Sequence, residues 1–350
     1  MWAELFRSGR EEVIKMDLLL QALKELPEFR QLLDTARAGQ AAAATGLAQI
    51  NRAHVIAGLY GLGDRPLAVL CPDDLAARRM QSELKAFLGQ EPPVLPGREL
   101  NLYDAAAASR VWEQRRLRQL YDLGRGKTRL QIFSWESLSL RTMPRRTLFA
   151  AAFSLRLEMQ ADMEALLARL VSMGYSRTAM VEGPGQFALR GGILDLYSPA
   201  EDRPVRAEFF GDELDTMGYF DPVTQRRTEN VEEITVLPVA EMQPGLHEGG
   251  RTGLQRDLEG LLARQKRRRN RNEDLIRTLE QDLEKLENGL SLSASDRLYG
   301  VDRAADDHGA GLCAPGCVAD CLRPIGHYTG RPRRRMEELG LQLDSLLANR

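Results

Sequence analysis

The sequence predicts an α/β protein: a parallel-sheet unit, and a small α+β domain with an antiparallel sheet that is inserted into that unit or follows it. Two patterns carry this prediction. Up to about residue 141, short apolar runs alternate with amphipathic stretches, which is typical of parallel sheets with crossover helices. From 142 to 238 the chain becomes strand-rich, with a Gly-Gly pair between two alternating runs. The predicted divisions are therefore 1–141, 142–238 and 239–350.

Length and composition agree with two or three globular domains. The 350 residues are 43% apolar and 28% charged, with a formal net charge of −2, which argues against a polycation that coats nucleic acid. No run approaches the roughly 18 apolar residues of a membrane span. Arginines and glutamates within Met1–Lys15 occupy the place of a signal peptide's apolar segment. We therefore expect a cytoplasmic protein with no membrane partner.

The elements of the first division follow from the spacing of its apolar residues. Leucines at helical spacing predict one amphipathic helix over Met16–Arg37. Short apolar runs predict strands at Leu67–Cys71 and Leu130–Phe133. The further predicted helices are Ile50–Tyr60, the stretch through Met80 and Phe87, Val111–Leu123, and a short one within Ser134–Leu140.

The second division is predicted to begin with an extended segment, Thr147–Glu158, and a helix, Gln160–Met173. Its strands are predicted from alternating or continuous apolar runs: Phe187–Arg190, Ile193–Tyr197, Val205–Phe210 and Ile234–Leu237. Gly191-Gly192 links the first two strands as a hairpin, and Gly211-Asp212 plays a similar part after Phe210.

The third division returns to helix, with leucines spaced three and four apart around a basic run, Arg264–Arg271. A polybasic helix can contact the phosphate backbone of nucleic acid. The alternative is a solvated face balanced by Glu273, Asp274 and Glu280. Both interpretations stay open, and the second is the commoner one.

A degenerate nucleotide loop is predicted at Ala43–Ile50, where a small-residue strand leads through Thr45-Gly46 into a helix. A phosphate loop needs two glycines, a lysine for the phosphate charge and a hydroxyl for the metal. Those four positions hold Ala43, Ala48, Gln49 and Ile50. We therefore expect no ATP binding and no cofactor. A second glycine-rich stretch, Gly124–Thr128, has a helix before it and a strand after it, the reverse of a phosphate loop.

The stretch 299–331 is atypical in composition. Three cysteines and two histidines could suggest zinc: Cys313, Cys317, Cys321, His308 and His327. Pro315 and Gly316 argue against a helix that would align them, so unpaired thiols in an irregular segment are favoured and no metal is expected. A local reading-frame error is a further hypothesis for this stretch.

Two ordered stretches carry a family resemblance. Phe187–Tyr197 and Arg206–Asp215 closely resemble the second domain of UvrB, and still more closely the N-terminal module of the bacterial transcription-repair coupling factors. Thr45-Gly46-Leu47 with Arg52-Ala53-His54, and Val236-Leu237-Pro238, are also similar to that module. The resemblance covers most of residues 16–298, and 299–331 depart from it.

The resemblance implies a helicase-like parallel-sheet domain with a degenerate P-loop, split into parts 1a and 1b, with a domain of UvrB domain 2 type inserted between them. In this family the inserted domain binds UvrA through motif arginines. They fall here at Arg177 and Arg190, with Phe187 and Arg206 expected to flank the same face. UvrB has a second motif arginine where this chain has Ala188.

The expected function is therefore a non-catalytic module that recruits UvrA in transcription-coupled nucleotide excision repair. The family's RNA-polymerase-binding domain and its ATP-driven motor on double-stranded DNA would lie beyond residue 350, and ATP would serve that motor only. The alternative is an ATP-dependent DNA repair enzyme of UvrB or helicase type. A third hypothesis is a DNA-binding module that uses Arg264–Arg271.

Overall fold

The computed structural model describes residues 19–97, 111–139, 142–269, 271, 273–290 and 292. Contacts between residues group the chain into two units. Of the described residues, the first unit comprises 19–97 and 126–139, and the second comprises 111–125 and those from 142 onwards. Each unit is described by itself below. The predicted three-part division of the chain stays a prediction.

The helices, in chain order, are α1 (described over 19–25), α2 (Pro27–Arg37), α3 (Gln49–Leu62), α4 (Asp74–Leu88), α5 (Val111–Gly124), α6 (Trp135–Ser139), α7 (Arg145–Ala151), α8 (Met163–Ser172), α9 (Gly250–Arg267) and α10 (Glu273–Glu287), with a 3-10 turn at Pro244–Leu246. The strands are β1 (Leu67–Cys71), β2 (Val94–Leu95), β3 (Leu130–Ser134), β4 (Phe153–Arg156), β5 (Ser176–Arg177), β6 (Gln186–Arg190), β7 (Ile193–Leu196), β8 (Val205–Phe210), β9 (Glu213–Phe220), β10 (Arg227–Asn230) and β11 (Glu233–Val236).

The first unit is built on a parallel sheet with strand order β1-β3-β2. Helix α4 follows β1 and packs its buried Leu84 into the same apolar cluster as Ile132 of β3. The Asp73 carboxylate caps α4 by accepting a 2.7 Å hydrogen bond from the Ala76 N–H. Gly89, at a φ of +66°, ends that helix. The predicted parallel α/β arrangement is confirmed for this unit.

The single helix predicted over Met16–Arg37 is wrong in one respect. Leu26 is extended, at φ −78° and ψ 119°, and separates α1 from α2. Pro27 explains the break, because a proline disfavours helical geometry at the residue before it and is well tolerated in the first turn of the next helix. Residues 16–18 lie outside the described part of the chain.

The second unit contains a six-stranded sheet in the order β10-β9-β8-β7-β6-β5, antiparallel except for the short edge pair of β5 and β6. One face of this sheet, called the inner face here, packs Phe187, Leu194 and Ala207 against Leu166 and Leu170 of α8. The opposite side is called the outer face. Strands β4 and β11 pair separately, with Phe153 opposite Val236, which brings the two ends of the segment 153–236 together.

Two predictions within this segment were wrong. Thr147–Glu158 is not wholly extended, since α7 runs to Ala151 before β4 begins. The end of that helix is satisfied by Arg169, which donates to the carbonyls of Ala150, Ala151 and Ala152. Strand β9 was not predicted because a register shift between Leu214 and Thr216 breaks its period-two pattern of burial.

Helices α9 and α10 pack on each other through leucines, with Leu254, Leu258, Leu279 and Leu286 buried. This confirms the helical interpretation of the leucine spacing. No described helix combines the length and the apolar character that crossing a membrane requires.

A buried ion pair ties α5 to the chain that follows β11. Arg116 Nε donates to Glu241 Oε1 at 2.7 Å, and the two side chains are 1% and 0% exposed. The other Glu241 oxygen accepts from the Met143 N–H at 3.2 Å, and the Glu241 N–H donates to Glu113 Oε1 at 2.9 Å. One carboxylate therefore joins three separate stretches of the second unit.

Replacing Glu241 by Gln should lower the free energy of unfolding of the second unit by about 3–5 kcal/mol, because the buried Arg116 would lose the charged carboxylate to which its Nε donates. Denaturant titration followed by circular dichroism measures this change. Asp202→Asn is the control, because its ion pair with Arg118 is exposed and should contribute at most about 1 kcal/mol. Equal losses in the two variants would contradict the prediction.

Candidate functional site

The outer face of the six-stranded sheet carries a row of polar residues. The strand register places Ala188, Asp195, Arg206 and Gly218 side by side on β6, β7, β8 and β9. Residues paired in this way share one face of a sheet. The row is centred on the Asp195 side chain, which is only 1% exposed. A buried carboxylate of this kind requires positively charged partners.

Arg206 is the main partner of Asp195. Its Nε and one terminal nitrogen donate to the two carboxylate oxygens at 2.7 and 2.9 Å, a bidentate geometry. The same side chain donates to the Gln225 carbonyl at 3.3 Å and lies 4.8 Å from the centre of the Phe220 ring. The hydrogen bond to Asp195 raises the pKa of the Arg206 guanidinium. At 21% exposure, Arg206 is chiefly a brace for Asp195.

Arg190 is the second partner of Asp195. It donates a single 2.6 Å hydrogen bond to Asp195 Oδ2 and keeps 52% of its side chain exposed. The residue ends β6, and the tight turn beyond it is made by Gly191, at φ +61°, and Gly192. A Cβ on Gly192 would lie 2.6 Å from the Phe209 carbonyl oxygen, so this turn requires glycine. The predicted hairpin is thereby observed, and it presents Arg190 at the end of the sheet.

Arg177 lies on the edge strand β5, paired with Phe187 of β6. Its side chain is exposed, and within the described residues no hydrogen bond or ion pair involves it. The pairing with Phe187 places Arg177 on the inner side of the sheet edge, whereas Arg190 is on the outer side. The structure therefore brings Arg190 and Arg206 together at Asp195, and it sets Arg177 apart at the rim.

The expectation that Phe187 flanks a partner-facing surface is corrected by its burial. Phe187 is 1% exposed and belongs to the core between the sheet and α8. It alternates with Ala188, which faces the outer side, where the fully buried Val181 covers it. The position of the family's additional arginine is thus closed to solvent in this chain.

The candidate nucleotide loop does not have the predicted strand before it. Residues 40–45 are irregular and exposed, because a run of alanines offers little apolar surface to bury in a sheet. The positions singled out there are Ala43, Thr45, Gly46, Ala48, Gln49 and Ile50. Gln49, at the position of the phosphate-binding lysine, donates a 2.6 Å hydrogen bond to Glu83, and Ile50 is 50% exposed.

The sequence offers two further candidate sites, the basic run and the possible zinc residues. Lys266, in the basic run, forms a 2.6 Å ion pair with Glu280 of α10, as the solvated-face interpretation expects. The basic run 264–271 is otherwise exposed where its side chains are described, apart from the buried Gln265. The candidate zinc residues, which are Cys313, Cys317, Cys321, His308 and His327, lie outside the described residues.

Comparison with known proteins identifies the sheet that carries Asp195. Residues 153–242 match the family model of the UvrB interaction domain, and these bounds begin at β4 and end just beyond Glu241. Three curated relatives are each named transcription-repair-coupling factor. The resemblance to that family's N-terminal module is confirmed.

The similarity to these relatives extends over more than half of this chain. The protein of Myxococcus xanthus is 35% identical over 61% of this chain and 18% of its own length. That of Escherichia coli is 32% identical over 57% and 17%, and that of Staphylococcus aureus strain USA300 is 29% identical over 65% and 19%. The matched region is thus less than a fifth of each relative.

Asp195 was the site residue that the sequence reasoning missed. The available signal was a single acidic residue between two leucines in a predicted strand, Leu194-Asp195-Leu196. The next predicted strand, Val205–Phe210, contains an arginine. A charged residue in such a run needs an opposite charge nearby. The register that supplies Arg206 was not known from the sequence.

Replacing Asp195 by Asn should lower the free energy of unfolding by about 2–4 kcal/mol, because Arg206 would keep its half-buried position without a paired carboxylate. Thermal and denaturant unfolding measure the change. The control is Glu208→Gln on the same face, whose 3.5 Å pair with Arg227 is partly exposed and should contribute less than about 1 kcal/mol. A wild-type midpoint for Asp195→Asn would refute the assignment.

Proposed function

We propose that this chain is a non-catalytic docking module that binds UvrA through the Arg190 end of its six-stranded sheet, in transcription-coupled nucleotide excision repair. The observation that carries the proposal is the half-exposed Arg190 in a segment that matches the UvrB interaction domain. Relatives named transcription-repair-coupling factor support the repair context. The UvrA partner comes from the family resemblance.

The charges on the sheet support binding to an acidic surface. Arg190 uses one nitrogen on Asp195, and the rest of its planar fork can pair with a carboxylate of a partner. Arg177 at the rim adds a second exposed guanidinium. Because Asp195 and Arg206 hold Arg190 in place, little side-chain entropy would be lost on docking. Arg206 acts in this proposal as a positioning residue and Arg177 as a second contact reached around the β5 edge.

The architecture supports the finer family assignment. The parallel strands β1, β3 and β2 are what a helicase-like part 1a would contribute. The pairing of Phe153 with Val236 lets the segment between them leave and rejoin the rest of the chain at one place, as an inserted domain of UvrB domain 2 type requires. We infer on these grounds that the second domain interrupts a degenerate P-loop domain split into 1a and 1b.

The surroundings of residues 43–50 support the absence of ATP chemistry in this chain. Gln49 supplies no cation, and its amide is bonded to Glu83, whose carboxylate would repel a triphosphate. Contacts with RNA polymerase and double-stranded DNA, and the use of ATP, are assigned in this proposal to the longer relatives. The alternative function, an ATP-dependent repair enzyme of UvrB or helicase type, would need a nucleotide site elsewhere.

Arg190→Ala should weaken binding of purified UvrA to the full chain by about 1–3 kcal/mol, and Arg177→Ala by a smaller amount, since truncation of an arginine contact commonly has this effect. Isothermal titration calorimetry measures both. The control is Arg156→Ala, an arginine that is 66% exposed and paired with Glu233 on the β4–β11 ribbon, which should bind as the parent does. Parental affinity in Arg190→Ala would overturn the proposed contact.

Equilibrium dialysis of the full chain against ATP and Mg²⁺ should show no binding at micromolar nucleotide, because positions 49 and 50 lack the cation and the hydroxyl that a phosphate loop uses. Saturable micromolar binding would instead favour the ATP-dependent enzyme. UvrB, with an intact phosphate loop, serves as the positive control.

A further inference from the structure

The six-stranded sheet has an exposed aromatic residue that the proposed function leaves unexplained, a phenylalanine. Phe210, the last residue of β8, is 85% exposed. Side chains alternate along a strand, so Phe210 lies on the same outer face as Arg206 and Glu208, while Phe209 packs against the core. An exposed aromatic ring of this size is typical of interaction surfaces rather than of solvated strand ends.

Phe210 lies at the same end of the sheet as Arg190. Ile193 pairs with Arg190 on one side and with Glu208 on the other, and it is 37% exposed. The Phe209 N–H donates to the Gly192 carbonyl at 2.7 Å, which holds the end of β8 beside the turn that follows Arg190. The outer face therefore ends in a ridge of two apolar side chains, Ile193 and Phe210, next to an exposed guanidinium.

We propose that Phe210, supported by Ile193, is the apolar anchor of the UvrA contact, and that its complement on UvrA is an apolar recess bordered by carboxylates. The inference rests on the proposed function and adds to it the residue that gives the contact its hydrophobic centre. Interfaces of high affinity commonly place an aromatic anchor beside arginine. A contact made by arginines alone would be sensitive to salt and weakly specific.

Continuity with Arg190 favours UvrA as the occupant over a second copy of the chain, because Phe210 and Arg190 both lie within residues 153–242, which match the UvrB interaction domain. The ridge also has acidic neighbours, since Glu213 pairs with Phe210 and Glu208 pairs with Ile193. We therefore expect carboxylates of UvrA to face Arg190 while the ring of Phe210 is buried.

The test is calorimetric titration of UvrA into the full chain, comparing the parent with Phe210→Ala and Arg190→Ala. The control is Val223→Ala, an apolar side chain with 87% exposure in the turn between β9 and β10. Because Phe210 is exposed, its truncation should leave the thermal unfolding midpoint unchanged. We expect a 10- to 100-fold rise in Kd for Phe210→Ala and parental Kd for Val223→Ala.

Salt separates the two contributions. The loss caused by Phe210→Ala should be the same at low and high ionic strength, whereas the loss caused by Arg190→Ala should shrink as salt screens the charge. Parental affinity in Phe210→Ala together with weak binding in Arg190→Ala would overturn this inference and leave the proposed function standing. Absence of UvrA binding by the parent would overturn both. A self-association abolished by Phe210→Ala, with UvrA binding intact, would assign the ridge to a second copy.

Discussion

The outer face of the six-stranded sheet depends on one buried carboxylate, Asp195, and the two arginines that neutralise it. The carboxylate is 1% exposed and would be costly to hold there without positive charge. Arg206 donates two hydrogen bonds to the Asp195 carboxylate, and Arg190 donates one. This unequal sharing leaves the Arg190 side chain 52% exposed and the Arg206 side chain 21% exposed.

The second unit holds the six-stranded sheet by closing the ends of the segment that carries it. Strands β4 and β11 pair at the base of the segment that matches the UvrB interaction domain. Just beyond them, the Glu241 carboxylate joins α5 and Met143 through buried contacts. The residues that follow β4 continue this support to the sheet, because the Glu158 N–H donates to the Leu214 carbonyl and the Leu214 N–H donates to the Met159 carbonyl.

The accuracy of the sequence predictions follows how local their physical cause is. The Gly191-Gly192 hairpin and strands β1, β3, β6, β7 and β8 were predicted, since turn chemistry and apolar runs act over a few residues. Strand β9 was not, because the register shift between Leu214 and Thr216 disturbs its alternation. The apolar pattern predicts an extended chain where α7 forms, and the end of that helix is satisfied by Arg169 from a different element.

Adjacent residues are enough to predict the α/β class, the position of the hairpin that presents Arg190, and the lack of a lysine at the candidate nucleotide loop. The folded chain was needed to show that Phe187 faces the core, that Arg206 is bonded to Asp195, and that Phe210 is exposed beside Arg190. These facts depend on which strands are neighbours and in what register. A shift of one residue would exchange the two faces of the sheet, and the connection from Leu196 to Val205 is longer than a two-residue hairpin turn that would set the alignment of β7 and β8.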